Sequence, residues 1–267
     1  MSTLAAVPPA RLKVTQARIV RSEWIKFWSL RSTGITLATA VALLIGIGLI
    51  AAATAGAATA NGAPGEIDLG PVEASLAGMT FAQLAFGTLG VLFMASEYST
   101  GMIRSSLTAV PKRLPVLWGK IAVFAAVTFV IGLAASAIAF AGGQALIGDG
   151  AATWSEEGVT RAVVGSAVVL AGSGVLGLGL GALLRSTPAA ISTLFGTMFL
   201  LTGVARLLLP ESRDDIVQYL PASAAGAFTS VTPSAEALAP WTGLGIFAAY
   251  VVAVVVAGAW RLKRSDA

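Results

Sequence analysis

Six apolar stretches constrain this chain more than any other feature. They run at about 33–60, 77–96, 116–147, 159–184, 189–209 and 241–260, and none holds a charge near its centre. About 20 such residues in a helix cross the hydrocarbon core of a bilayer. Composition agrees, since 11% of the residues are charged where an ordinary soluble domain has about 25%. The mean hydropathy of +0.85 points the same way. The predicted fold is an all-α membrane protein with six transmembrane helices, not a globular enzyme.

The connections between the runs set the orientation. With both termini inside, every Lys and Arg except Arg161, Arg206 and Arg213 falls on the inner side, as the positive-inside rule requires. The acids Glu66, Asp68, Glu73, Asp149, Glu156 and Glu157 fall outside. The basic isoelectric point near 9.8 thus reflects topology. The cations edge apolar runs and form no aromatic-interleaved patch, so no nucleic-acid partner is expected.

Residues 1–32 read as a cytoplasmic tail and interfacial helix, 33–260 as the transmembrane domain and 261–267 as a second cytoplasmic tail. Within the first segment, Val20, Trp24, Phe27 and Trp28 share one helical face among Arg18, Arg21, Lys26 and Arg31, the pattern of a helix lying in the membrane interface. A plain tail with anchoring tryptophans is the alternative. The run at 33–60 is longer than a signal-peptide core of about 7–15 residues and reads as a retained helix. Residues 61–72 form a loop by their Gly, Pro and Asp content. Ser173, Gly177 and Gly181 make a small-residue stripe in the fourth run, suited to close approach by another helix, of this chain or of a second subunit. In the long connection 210–240, Tyr219 to Pro221 and Ala224 to Phe228 are apolar enough to form short helices resting on the membrane face.

The chemistry open to the chain is narrow. It has no Cys and no His, which removes disulfides, thiolates, histidine triads and histidine metal sites. No cofactor is implied. The spans lack the midplane carboxylates of an ion-coupled carrier and the residue pairs of an intramembrane protease. Gly119-Lys120 is followed by Ile121 and lacks the upstream glycine of a phosphate-binding loop. A chain with no nucleotide site of its own fits one half of a machine powered by another subunit. The surface that would meet that subunit is the basic connection 97–113, Glu97 to Arg113, punctuated by Gly101 and Pro111.

That connection carries a resemblance. Glu97-Tyr98-Ser99-Thr100-Gly101-Met102-Ile103-Arg104, with Pro111-Lys112-Arg113, resembles the cytoplasmic loop after the second span in ABC transporter permeases of the type 2 exporter family, with Met102 where threonine is common. Arg21 to Lys26, Leu183 to Ser186 and Tyr219 to Pro221 are similar to habits of actinobacterial members. The resemblance implies a permease that pairs as a homodimer or heterodimer in the bacterial plasma membrane. It also implies a separate cytoplasmic ATPase subunit and export of a hydrophobic or amphipathic substrate. The loop would hold a coupling helix, with Glu97, Tyr98, Gly101, Arg104, Pro111, Lys112 and Arg113 at the ATPase contact. Glu97 would pair with Arg104 or receive a donor from the ATPase. A membrane scaffold recruiting a cytosolic partner through the same loop is the second reading, and a secondary carrier the third.

Overall fold

The computed structural model describes residues 15–29, 31–60, 69–103, 108, 113–208, 214–232 and 237–264. The described residues hold helices and no strand. Helix α1 (Gln16–Ser29) precedes α2 (Arg31–Ala60), the short α3 (Pro71–Ser75), α4 (Met79–Ser99), α5 (Leu114–Ile147) and α6 (Val159–Leu184). Then come α7 (Thr187–Phe195), a π-helical turn (Gly196–Leu200), α8 (Leu201–Leu208), α9 (Asp214–Val217), α10 (Pro221–Thr229) and α11 (Pro240–Arg264). Six segments are long and apolar enough to cross a membrane: α2, α4, α5, α6, the α7–α8 unit and α11. They match the six runs of the sequence to within a few residues.

Local chemistry sets several boundaries. Proline opens α3, α5, α7 and α10 in the first turn, where a missing N–H leaves no bond unmade. Gly148, at φ 69°, ends α5, and Gly158, at φ 85°, precedes α6. Two arginines also take positive φ, Arg113 at 55° and Arg185 at 56°. Both turn their guanidinium groups onto the last turn of α11. Arg113 donates to the Leu262 carbonyl at 3.4 Å and Arg185 to the Arg261 carbonyl at 3.4 Å. Those carbonyls have no partner within a helix end and carry its partial negative charge.

Helix α6 is the hub. Of its apolar segment 78% is buried, against 11% for the fifth span. It packs on α4, α5 and α11. Glycine permits the approach to α4. A Cβ on Gly90 would sit 1.9 Å from the Gly174 carbonyl oxygen, and one on Gly177 would sit 2.0 Å from that of Gly87. The stripe Ser173–Gly177–Gly181 is thus filled largely from within the chain: Gly177 meets Gly87, and Gly181 meets Val91 and Met94. Ser173 is buried beside them. Of the two uses left open by the sequence, packing within the chain is the one the structure has.

The described ends of the chain lie at one end of the bundle, hereafter the termini end. Gln16 of α1 donates to the Pro115 carbonyl at the start of α5, and Arg113 reaches the end of α11. The opposite, far end is closed by polar contacts. Helix α3, in what the sequence suggested was the tail of a loop, wedges between α2 and α5, with Ser75 against Gly48 and Gly143. The side-chain amide of Gln144 donates to Ser75 Oγ at 2.8 Å and to the Pro71 carbonyl at 2.9 Å. Glu73 accepts from the Val231 and Thr232 amides at 2.9 and 3.0 Å and from the Thr232 hydroxyl at 3.0 Å. Arg161 donates to the Phe228 and Ser230 carbonyls. The short helix expected near 224–228 exists as α10. It does not rest on the outside, however: Ala224, Ala225 and Phe228 are buried, and α10 packs on α11 and α6.

Two expected outcomes follow from this packing. Gly177→Ala forces a methyl into the Gly87 backbone, and overpacking of this kind typically costs about 1–3 kcal/mol. The unfolding midpoint of the purified protein in detergent should fall accordingly, and an unchanged midpoint would refute the contact. At the far end, burial pushes the Glu73 carboxyl up, but the Thr232 and Val231 donors outweigh it and hold it below its ordinary value of 4.5. Its contribution to stability is therefore complete above pH 4.5 and fades as pH falls through the lower folded value. Glu73→Gln should lower the unfolding midpoint at neutral pH, the loss of hydrogen bonds to a charged group being worth about 1.5–3 kcal/mol. Measured against pH, the gap to the unsubstituted protein should narrow in acid.

Candidate functional site

The site is assembled at the termini end from three elements that meet only in the folded chain. Helix α1 seats on the bundle through Ile19, Glu23 and Phe27, spaced four apart on one face. Glu97 comes from the last turns of α4, and Lys120 from the second turn of α5. These are the two flanks of the connection that the sequence singled out.

Four charges form a closed alternating ring. Lys26 Nζ lies 2.7 Å from Glu23 Oε1 and 3.0 Å from Glu97 Oε1. Lys120 Nζ lies 2.6 Å from Glu23 Oε2 and 2.9 Å from Glu97 Oε1. The ring is neutral in sum and largely dry: Glu23 is 1% exposed, Glu97 4% and Lys120 1%. Lys26 alone reaches toward solvent, its side chain 25% exposed. Burial pulls its ammonium pKa down, but the hydrogen bond to Glu23 and the charges of Glu97 and Glu23 outweigh this and leave it raised. Glu97 Oε2 is buried without a hydrogen-bond partner.

Beneath the ring lies an aromatic floor. Lys120 Nζ stands 4.0 Å above the centre of the Phe93 ring, a cation–π contact made in a desolvated place. Phe27 meets Phe93 and Phe124 edge to face, with centroids 5.3 and 6.0 Å apart. One residue from each of α1, α4 and α5 thus builds the floor, as one or two from each builds the ring. Phe27 and Glu23 lie one turn apart on α1, so a single helical face inserts both.

This geometry corrects the sequence reading in two places. The face Val20, Trp24, Phe27 and Trp28 does not stay together at a membrane surface. Phe27 is fully buried in the bundle, while Trp24 and Trp28 remain 48% and 52% exposed. Glu97 is not a surface group open to a partner protein; its carboxylate is engaged by Lys26 and Lys120 within the chain. Tyr98 is partly buried, with the Arg185 guanidinium 5.1 Å from its ring centre. Gly101 is exposed at φ 71°, and Arg113 is half-buried against α11. Arg104, Pro111 and Lys112 lie outside the described residues.

The sequence alone does not mark Glu23, Lys26 and Lys120 as a site, though it holds signals for them. Glu23 is the only acid before Glu66 and shares a face with Ile19 and Phe27. Lys120 sits beyond the first turn of an apolar helix, where a cation needs a counter-charge. No metal-binding group of acids occurs among the described residues. What the ring can do is mechanical: it fixes both flanks of the 100–113 connection to α1. No protein-family model matches the chain, and no curated protein matches it.

Breaking a buried pair from one side leaves a bare charge and typically costs about 3–5 kcal/mol. Lys120→Met should therefore lower stability by that order in a detergent unfolding assay. Adding Glu97→Gln to Lys120→Met removes the charge left bare, and part of the loss should return. A double variant as unstable as the sum of the two single variants would mean that Glu97 and Lys120 do not interact.

Proposed function

We propose that this chain is the membrane-spanning permease subunit of an ATP-binding cassette transporter of the type 2 exporter kind. It moves a hydrophobic or amphipathic substrate with ATP hydrolysed by a separate cytoplasmic subunit. The termini end is the cytoplasmic end, in the plasma membrane of a bacterium, and the 100–113 connection is the ATPase dock.

The buried Glu23–Lys26–Glu97–Lys120 ring carries this reading. A loop that receives force must not yield at its base. Here Glu97 on one flank and Lys120 on the other pair with each other, and each also pairs with a charge on α1, Lys26 and Glu23 respectively, so the flanks are tied to each other and to α1. A push on the connection then moves α4 and α5 together. Through the Gly90 and Gly177 contacts α4 presses directly on the hub α6, and the displacement reaches the middle of the bundle. Interfaces packed this tightly pass small movements on instead of absorbing them. The role of Glu97 is thereby changed from partner contact to positioning residue, while Arg104, Lys112 and Arg113 supply the charge that meets the ATPase. The positive-inside distribution and the match of Glu97 to Arg104 to the family loop support the same assignment.

The test is reversal of charge in the dock. Arg104→Glu with Arg113→Glu should leave insertion intact and reduce the ATPase co-purified in mild detergent by roughly ten-fold, about 1.4 kcal/mol of binding. ATP hydrolysis should also lose its dependence on substrate. Normal recovery of an ATPase with this variant would remove the dock from 100–113. Failure to recover any ATPase with the unsubstituted chain would remove the transporter reading.

A further inference from the structure

Burial of Glu23 has a consequence for the other side of α1. That glutamate is the only acid between residues 15 and 31, and it points into the bundle. The exposed side of this segment is therefore purely cationic. It presents Arg18, Arg21 and Arg31 together with Trp24, Ile25 and Trp28, which are 48%, 59% and 52% exposed. On a helical projection Arg21, Ile25 and Trp28 lie opposite the seated face Ile19–Glu23–Phe27. The salt bridges among the described residues join Glu23, Lys26, Glu97 and Lys120, which leaves Arg21 and Arg31 without a carboxylate there. Trp24 and Trp28 stack edge to face with centroids 6.0 Å apart, forming one continuous indole surface beside Arg21.

We propose that this face of α1, together with Arg31 at the start of α2, is a docking site for the headgroups of anionic phospholipids. A zwitterionic headgroup offers no net charge to the arginines. A soluble protein partner would not explain large exposed indoles on the helix that directly precedes the first span, whereas indoles favour the headgroup layer. Anionic lipid supplies both halves, phosphate and negative net charge for Arg21 and Arg31, and an acyl boundary for Trp24, Ile25 and Trp28. Because Glu23 and Phe27 fix the opposite face in the ring and its floor, a lipid held here is held against the base of the 100–113 connection. The site requires only that the chain sits in a bilayer, and it stands or falls separately from the ATP-driven reading.

The experiment uses the full chain, which has no native cysteine. Ile25→Cys is labelled with a small fluorophore and reconstituted into nanodiscs of phosphatidylcholine. Equal shares of either phosphatidylglycerol or phosphatidylcholine carry a quencher. Quenching by phosphatidylglycerol should exceed that by phosphatidylcholine by up to about five-fold per arginine at low salt. The preference should collapse in Arg21→Gln with Arg31→Gln, persist in Arg21→Lys with Arg31→Lys, and persist in Lys263→Gln with Arg264→Gln. It should also fade in the unsubstituted protein as salt rises toward 1 M, where the screening length is about 3 Å; this holds the test open if the glutamine variant does not insert. Equal quenching by the two lipids would overturn the proposal. So would a preference that survives high salt, or one abolished equally by the Lys263 and Arg264 substitutions.

Discussion

The neutral ring of Glu23, Lys26, Glu97 and Lys120 is the interaction on which the termini end depends. Four charges in a dry place are expensive unless each faces an opposite charge, and here each lysine touches both glutamates. Such a ring adds little to net stability compared with an apolar core of the same volume. What it adds is register. Lys26 and Lys120 fit only one placement of α1 against α4 and α5, and Phe27 closing on Phe93 and Phe124 reads that placement a second time. The orphan oxygen of Glu97 marks where the arrangement is not saturated.

The two ends of the bundle solve different problems with similar means. At the termini end, side-chain charges from separate helices neutralise one another. At the far end, Glu73, Gln144 and Arg161 spend their polar atoms largely on backbone groups of short connections, closing the bundle with hydrogen bonds. Between them, α6 uses glycine to bring α4 within backbone contact, so the middle of the bundle is the least able to deform locally. A structure stiff in the middle and keyed at one end suits the transfer of displacement from that end.

Much of this was legible in the sequence. The six apolar runs predicted the six spans closely, because length and hydropathy alone decide whether a helix can cross a bilayer. The stripe at Ser173, Gly177 and Gly181 announced close helix packing, though not which helix would fill it. The ring was harder to see. Glu23 and Glu97 are 74 residues apart by their numbering, and nothing local pairs them. Val20, Trp24, Phe27 and Trp28 share an apolar arc, but a helix that seats on a bundle and also faces lipid has two apolar arcs, and periodicity does not say which side each residue joins. Phe27 went inward with Glu23, and the tryptophans stayed out. Lys120 looked like a topological charge because it lies near the start of an apolar run. Its burial follows only from knowing that α1 covers it.

Orientation is the claim on which the functional account turns, since a soluble ATPase reaches the ring's loop only from the cytosol. Met102 is 47% exposed within that loop, and the chain has no cysteine. Met102→Cys should react with a membrane-impermeant maleimide in inverted membrane vesicles and stay unlabelled in intact cells until they are opened. Labelling in intact cells would put the loop outside and contradict the account.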